Sequence, residues 1–153
     1  MLGINGTEFT KEKQLYGKEA TEFLTDLILG KEIQIEIDPN ASITDRYGRY
    51  LIHTFIGGNS IIKILIMEGL VRVAYLYDKY KYIDTYQEAE TIAKQAEKNI
   101  WSIPGYVDNK NGFNMDIIKE DVKEQIKNKL GKTTSNFKEK LFEKINKNTS
   151  SNN

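Results

Sequence analysis

The sequence contains no cysteine, and this absence excludes two kinds of chemistry. Without thiols the chain forms neither a disulfide nor a thiolate metal site, and its redox compartment is left open. Histidine is almost as scarce, since His53 is the only one. A metal site built from several histidines is therefore excluded as well.

The sequence also lacks a net charge and any long hydrophobic run. Lysine plus arginine and aspartate plus glutamate both total 22, so the formal net charge is +0. With no overall basic field, phosphate binding has to come from a local cluster of basic side chains. No apolar run is long enough to span a membrane, and residues 1–8 show neither a basic leader nor a hydrophobic signal core. As written, the sequence predicts a soluble, cytoplasmic chain.

The spacing of apolar residues predicts three helices, over 15–29, 61–68 and 85–99. Ser60 precedes the second of these and is a plausible N-cap. Residues 70–77 alternate between apolar and polar, which is typical of a strand or an extended segment.

A short stretch, Thr44-Asp45-Arg46-Tyr47-Gly48-Arg49, joins two strand-like runs over 33–38 and 49–56. Gly48 can take the positive φ that a tight turn often needs, so the Arg49 side chain is held at the base of the loop. A fixed guanidinium is a planar fork of donors that matches the oxygens of a phosphate. The bend therefore favours phosphate capture, although these residues alone also fit an ordinary charged hairpin tip.

The composition changes at Ser102-Ile103-Pro104-Gly105, a strong chain breaker, after which Lys, Asn, Asp and Glu dominate. This change predicts a domain over 1–103 and a charged tail over 104–153. Within the tail, apolar residues four apart predict two short amphipathic helices, at Ile118, Val122, Ile126 and Leu130 and at Phe137, Leu141 and Ile145. The end of the tail, rich in asparagine and serine, is predicted to be disordered.

Several motifs occur together in one order along the first two thirds of the chain. They are Glu8, Tyr16-Gly17-Lys18-Glu19-Ala20, the bend at 44–49, Glu68-Gly69-Leu70, Val73-Ala74-Tyr75-Leu76-Tyr77 and Asn99-Ile100-Trp101. With this order, the chain from Leu2 to Ser102 resembles the staphylococcal-nuclease-like (thermonuclease) family. The resemblance implies an α+β fold, an OB-type β-barrel with three helices, here incomplete and followed by the amphipathic helical tail.

The resemblance also implies an activity, the calcium-dependent hydrolysis of phosphodiesters in DNA and RNA, with single-stranded or flexible nucleic acid as the partner. Glu8 matches the glutamate that handles the attacking water, and Arg49 matches one of two catalytic arginines that stabilise the transition state. The positions that contact the substrate fall on Arg46, Tyr47, Leu51, Tyr75 and Tyr77. A guanidinium can follow negative charge onto the phosphate oxygens, and a tyrosine offers an apolar face to a base.

The chain departs from the family at the metal site. The family's first metal-binding aspartate and its second catalytic arginine have no counterpart, because the chain starts at the end of the third strand of that fold. The next metal-site aspartate falls on Asn5, and a neighbouring threonine falls on Gly6. Asn5 offers one carbonyl oxygen, whereas calcium sites typically take about six to eight oxygens. We therefore expect only a weak, degenerate metal site at Asn5.

The missing strands suggest an amino-terminally truncated member, from a start codon placed too late or a gene fragment. A barrel without its first strands leaves strand edges unpaired, which predicts self-association. An upstream leader on a longer product would make the protein secreted or surface-associated.

Two further interpretations remain open at the level of sequence. A noncatalytic module that binds nucleic acid or protein would keep the arginines and tyrosines after losing the metal, and a degenerate product would have no function. His53 shares a strand face with Arg49 and Leu51, yet a hydrogen-bonded or exposed structural histidine is the preferred interpretation.

Overall fold

The structure, a computed structural model, describes residues 1–11, 13–108, 110–120 and 124. The chain divides into two compact units, Met1–Asn114 and Met115–Asn153. In the second unit, residues 115–120 are helical and Lys119 Nζ lies 2.9 Å from Asp116 Oδ1. Most of the predicted first tail helix, the whole of the second and the predicted disordered end lie outside the described residues.

The first unit mixes helices and strands. Its helices are α1 (Gly17–Ile28), α2 (Ile61–Met67) and α3 (Ile83–Gln95), followed by a short 3₁₀ helix over Asn99–Trp101. Its strands are β1 (Ile4–Gly6), β2 (Gln34–Ile37), β3 (Ile52–Ile56), β4 (Asn59–Ser60), β5 (Val71–Val73), β6 (Val107–Asp108) and β7 (Gly112–Phe113).

The strands form three separate antiparallel sheets. β1 pairs with β5, β2, β3 and β4 pair in that order, and β6 pairs with β7. The described residues form no closed barrel. Strand β2 is therefore an edge strand, and the isoleucines on and beside it, Ile33, Ile35 and Ile37, are exposed.

The three predicted helices are present, with ends that differ from the predicted ones. The predicted strand over 49–56 begins only at Ile52, because a bridge between Thr44 and Tyr50 keeps the preceding residues in the bend. The predicted extended segment over 70–77 is a strand only as far as Val73, since Tyr75 takes a φ of +59°. At both places the observed strand is shorter than the predicted one.

The hydrophobic core is centred on α2. Ile61, Ile62, Leu65 and Ile66 are buried there against Tyr86 and Ala89 of α3. Each such side chain contributes about 1.5–3 kcal/mol when fully buried. The N-cap prediction is confirmed, because Ser60 Oγ accepts a hydrogen bond from the Lys63 amide at 3.2 Å. Core packing and capping together fix α2 beside the β2–β3–β4 sheet.

Helix α1 begins where the chain passes very close to the loop after β1. A Cβ atom on Gly17 would lie 2.9 Å from the Glu8 carbonyl oxygen, so only glycine fits there without a shift. Leu24, Leu27 and Ile28 of α1 pack against the α2 core. The contact at Gly17 therefore sets the position of Glu8 relative to the packed body of the unit.

An apolar groove of about 420 Å³ lies between α1 and the β1–β5 pair, lined in part by Leu24, Ile28, Ile4 and Val71. The predicted catalytic and substrate-binding residues do not line it. No helix among the described residues combines the length and the hydrophobicity that a membrane crossing requires.

Candidate active site

The bend over residues 44–50, called the arginine bend below, is closed by backbone hydrogen bonds. The Leu51 amide donates to the Ile43 carbonyl at 2.9 Å, and the Asp45 amide donates to the Arg49 carbonyl at 2.9 Å. Gly48 takes a φ of +76°, in the region that glycine enters at little cost. The positive φ predicted for this glycine is confirmed.

Asp45 holds the arginine bend together with both carboxylate oxygens. Oδ1 accepts hydrogen bonds from the amides of Tyr47 at 2.8 Å and Arg49 at 3.0 Å. Oδ2 accepts from Arg49 Nε at 2.6 Å and lies 2.6 Å from the Arg49 Nη2. Desolvation raises the pKa of Asp45, but these hydrogen bonds from Arg49 and Tyr47 outweigh it and the pKa lies below its ordinary value.

Two arginines lie within cation–π distance of one tyrosine ring. The Cζ atoms of Arg46 and Arg49 are 4.7 Å and 5.3 Å from the centroid of Tyr47. Arg46 Nη2 also donates to the Tyr47 hydroxyl at 2.6 Å. Because the Arg49 side chain is 75% exposed, the cluster presents positive charge to solvent in a fixed geometry suited to an anion.

Glu8 lies in the loop after β1 and is exposed. Its Oε1 accepts hydrogen bonds from the Thr10 hydroxyl at 2.5 Å and the Thr10 amide at 2.9 Å. The Thr10 hydroxyl and then the Thr10 amide lower the pKa of Glu8 below its ordinary value. The carboxylate is therefore charged at neutral pH and suited to orienting a water molecule. No hydrogen bond or ion pair between described residues joins Glu8 to Arg49.

The other predicted substrate contacts lie in different surroundings. Leu51 is half-buried and packs against the small core cluster of Leu2, Tyr80 and Ile83. Tyr75 and Tyr77 are 54% and 85% exposed, so both rings are open to solvent. The positive φ of Tyr75 interrupts the extended segment that the sequence predicts over 70–77, so simple strand alternation does not relate the two tyrosines.

Asn5 lies on β1 directly opposite Arg72 of β5. Within the described ranges no three His, Cys, Asp or Glu residues come together as a set able to hold a metal ion. Calcium takes its ligands mainly from carboxylate and carbonyl oxygens, and Asn5 offers one such oxygen beside a positively charged neighbour. The residues present at this position do not fit a calcium site.

His53 is buried in a polar network that the sequence did not indicate. Its Nε2 lies 2.8 Å from Asp38 Oδ2, and its Nδ1 lies 3.0 Å from the Tyr86 hydroxyl. The prediction of a hydrogen-bonded structural histidine is confirmed. The predicted face shared with Arg49 is not formed, because Arg49 belongs to the arginine bend and not to β3.

Comparison with known proteins shows which proteins the chain is similar to. A family model described as staphylococcal nuclease homologue matches residues 1–103. The chain is 40% identical over 102 residues to endonuclease YncB of Bacillus subtilis strain 168, covering 66% of this chain and 47% of that protein. It is 39% identical over 102 residues to the SPbeta prophage-derived endonuclease YokF of the same strain, covering 66% and 34%.

A third relative is a thermonuclease of Staphylococcus hyicus, 33% identical over 105 residues, which cover 67% of this chain and 61% of the relative. The match with the two Bacillus endonucleases thus spans less than half the length of each. The family match ends at residue 103, where the sequence predicts the domain boundary, and the first compact unit continues to Asn114.

Proposed function

The chain belongs to the staphylococcal nuclease homologue family, and on this premise we propose that it hydrolyses phosphodiester bonds in DNA or RNA. The observation that carries the proposal is the arginine bend, where two exposed guanidiniums are held against one tyrosine ring. Relatives named endonuclease and thermonuclease support the same reaction class. Because the formal net charge is +0, binding of the nucleic acid has to come from a local cluster of basic side chains, and we propose single-stranded or flexible nucleic acid as the substrate.

In this proposal Glu8 and Arg49 are the catalytic residues. The Glu8 carboxylate orients a water molecule and takes its proton as the water oxygen bonds to phosphorus. The Arg49 guanidinium stabilises the negative charge that spreads over the phosphate oxygens in the transition state. The bond from phosphorus to the leaving oxygen breaks at the same time, and the leaving oxygen keeps both electrons of that bond and takes a proton from solvent.

The substrate-binding residues surround this chemistry with contacts of two kinds. Arg46 and Tyr47 bind phosphate oxygens through a guanidinium and a hydroxyl. Tyr75 and Tyr77 stack on bases, which is sequence-tolerant because every base has a π-face. Leu51 supplies an apolar contact from the edge of the core.

The resemblance implies that the reaction depends on calcium. The residues present at Asn5 do not fit the ion. We therefore assign no step to calcium, and a metal requirement would need oxygen ligands beyond Asn5. Cleavage measured with added calcium and with a chelator tests that requirement.

Two features of fold and assembly are likewise proposals. We interpret the strands within residues 1–103 as parts of an incomplete OB-type barrel and residues 104–153 as its helical tail. The open edge of β2 with its exposed isoleucines supports self-association of the chain.

A second candidate function is binding without cleavage. Asp45 already occupies Nε and Nη2 of Arg49, and the metal donors of the family are not present at Asn5. The lack of metal donors at Asn5 is the observation that favours this candidate, since Arg46 and the remaining Nη1 of Arg49 can still bind phosphate oxygens when the metal is lost.

One experiment separates the two functions. Cleavage of a labelled single-stranded oligonucleotide is measured alongside its binding by fluorescence anisotropy, for the full chain and for Glu8→Gln and Arg49→Ala. A nuclease loses cleavage at least a hundredfold in both variants, and Glu8→Gln still binds. Binding without cleavage by the unaltered chain, at every calcium concentration, overturns the nuclease proposal and supports the binding module.

A further inference from the structure

Arg72, the middle residue of β5, is a buried cation whose side chain has no partner among the residues that the structure describes. It is 7% exposed, and its Nε atom is buried with no hydrogen-bond partner. No hydrogen bond or ion pair joins its side chain to another residue in the described part of the chain. Arginine is rarely buried unless it is paired, because removing a charge from water is costly. A mostly buried guanidinium whose Nε atom has no partner among the described residues is a candidate group for binding an anion.

The pairing of β1 with β5 shows which side of the ribbon Arg72 occupies. Ile4 is opposite Val73 and Gly6 is opposite Val71, and these valines pack into the core. Asn5 is opposite Arg72, and residues directly opposite in an antiparallel pair have side chains on the same face. Asn5 and Arg72 therefore share the other face of the ribbon, called the Arg72 face below.

The Arg72 face lies beside the β6–β7 hairpin. It offers hydrogen-bond donors from Asn5 and Arg72, and these two residues carry no carboxylate. A Cβ atom on Gly112 would lie 3.4 Å from the Asn5 Nδ2, so the hairpin backbone approaches the amide closely. The amide of Asn5 can donate to the same anion as the guanidinium of Arg72. The terminal nitrogens of Arg72 have no partner and are not enclosed as Nε is, so the tip of the side chain reaches solvent.

The nearby carboxylates are already committed to other groups. Glu90 accepts a hydrogen bond from the Val73 amide at 2.7 Å and pairs with Lys94 at 2.7 Å. Asp108 accepts from the amides of Lys110 and Asn111 in its own turn. Neither of them is hydrogen-bonded or ion-paired to Arg72, so an anion bound at the guanidinium would meet no competing carboxylate from these two residues.

We propose that Arg72 and Asn5 form a phosphate-binding site on the Arg72 face, separate from the arginine bend. The ligand is a phosphate group, either free phosphate or a phosphodiester of the nucleic acid backbone. In the second case the inference rests on the proposed function, and Arg72 anchors a neighbouring phosphate of the strand. The planar fork of a guanidinium matches the oxygens of a phosphate, and a flanking amide adds a further donor. The same positive charge makes the face unsuited to a calcium ion.

The arginines of the sequence are Arg46, Arg49 and Arg72, so each side chain can be followed separately. The full chain is labelled with ¹⁵N in arginine, and the Nε–H signals are assigned with Arg46→Lys, Arg49→Lys and Arg72→Lys. Inorganic phosphate and a short oligothymidylate are titrated in separate series. The expected result is a saturable shift of the Arg72 signal that persists in the Arg46→Lys/Arg49→Lys double variant.

Sodium chloride at matched ionic strength is the control for unspecific screening. A saturable response to both titrants, or to one of them, supports the site and identifies the source of the phosphate. An Arg72 signal that stays constant, or that moves equally with chloride, overturns the proposal. The readout is an equilibrium shift and not turnover, so it stands or falls separately from the cleavage assay.

Asn5→Asp is a second, independent variant. It places a carboxylate directly opposite Arg72 and thereby supplies the missing counter-charge within the chain. We expect it to weaken phosphate binding at Arg72 at least tenfold, because the new carboxylate competes with the anion. Unchanged binding in this variant contradicts the assignment of Asn5 and Arg72 to one site.

Discussion

The carboxylate of Asp45 is bonded both to the backbone of the arginine bend and to the side chain of Arg49. A single residue thus fixes the shape of the loop and the direction of the guanidinium that leaves it. The pKa of Asp45 lies below its ordinary value of 3.8, so this arrangement is intact at neutral pH. It is lost only as the pH falls through the lower pKa of the folded state.

Asp45→Ala is expected to lower kcat/KM for oligonucleotide cleavage about tenfold, because Arg49 loses the anchor that orients it. Most of the loss should fall on kcat, since orientation matters most in the transition state. Adding Asp45→Ala to Arg49→Ala should then cost almost nothing further, because the two residues act as a unit. Additive losses in the double variant contradict a positioning role for Asp45.

The network of Asp38, His53 and Tyr86 is a second residue-scale feature with a measurable effect on stability. Desolvation raises the pKa of Asp38, but hydrogen bonds from His53 and from the amides of Lys81 and Asn40 outweigh it and the pKa is lowered. A carboxyl group with a lowered pKa stabilises the fold above the unfolded-state value. That stabilisation is lost as the pH falls below 3.8 and through the folded-state pKa.

Asp38→Asn is expected to lower the free energy of unfolding by about 2–4 kcal/mol at pH 7, because it removes a charged acceptor from a buried network. Urea denaturation at several pH values measures the loss. The matched control is Asp84→Asn, an exposed carboxylate in the first turn of α3, which should cost less than about 1 kcal/mol. Equal losses in the two variants contradict the importance of the network.

At the scale of the elements, the position of helix α1 depends on a close contact between its first residue and the loop after β1. Gly17 is buried at the first position of the helix, with the Glu8 carbonyl where a Cβ atom would lie. The packing of α1 and the position of the Glu8 loop are therefore coupled.

Gly17→Ala is expected to lower the free energy of unfolding by about 1–3 kcal/mol, although alanine favours helices, since a methyl group overfills this contact. It should also reduce cleavage by moving Glu8. Lys18→Ala is the control, because Lys18 is exposed on the same turn and its loss should change stability by less than about 0.5 kcal/mol. A Gly17→Ala variant as stable as the unaltered chain contradicts the close contact.

Local patterns predicted the helices well because their information lies within one or two turns. Apolar spacing placed α1, α2 and α3, and the hydroxyl of Ser60 marked the start of α2. The same kind of pattern overextended the segment after β5, because nothing in the local sequence signals the left-handed backbone of Tyr75.

Contacts between distant residues could not be predicted in this way. The network at His53 joins residues from β3, α3 and the end of β2, and alternation along one strand says nothing about such partners. The buried Tyr106 directly precedes β6, and its hydroxyl donates to the Leu15 carbonyl at 3.1 Å, yet the sequence of this segment resembled a polar tail. At the candidate site the sequence predicted the loop but not the ion pair between Arg49 and Asp45. It also did not predict that the buried Arg72 Nε has no partner among the described residues.

At the scale of the whole molecule, the open edge of β2 is the feature most exposed to other chains. In the part of the chain that the structure describes, no strand pairs with the outer side of β2, and Ile35 and Ile37 are 63% and 56% exposed. Edge strands with apolar side chains are templates for pairing with another copy.

Ile35→Lys is expected to shift the chain toward the monomer, because a charge on an edge strand opposes pairing. Sedimentation velocity over a range of concentrations measures the change. Ile92→Lys is the matched control, since Ile92 is similarly exposed, at 54%, but lies on helix α3 and not on a strand. A similar shift in both variants, or none in Ile35→Lys, contradicts association through β2.

The enclosure of His53 has a practical consequence for following the state of the whole molecule. The chain carries a single imidazole, and that ring is 1% exposed. Its ring C–H resonances therefore form an intrinsic reporter that requires no label, with one signal set for the native fold and another for the unfolded chain. The ratio of the two sets gives the folded fraction directly during any titration with denaturant, acid or ligand.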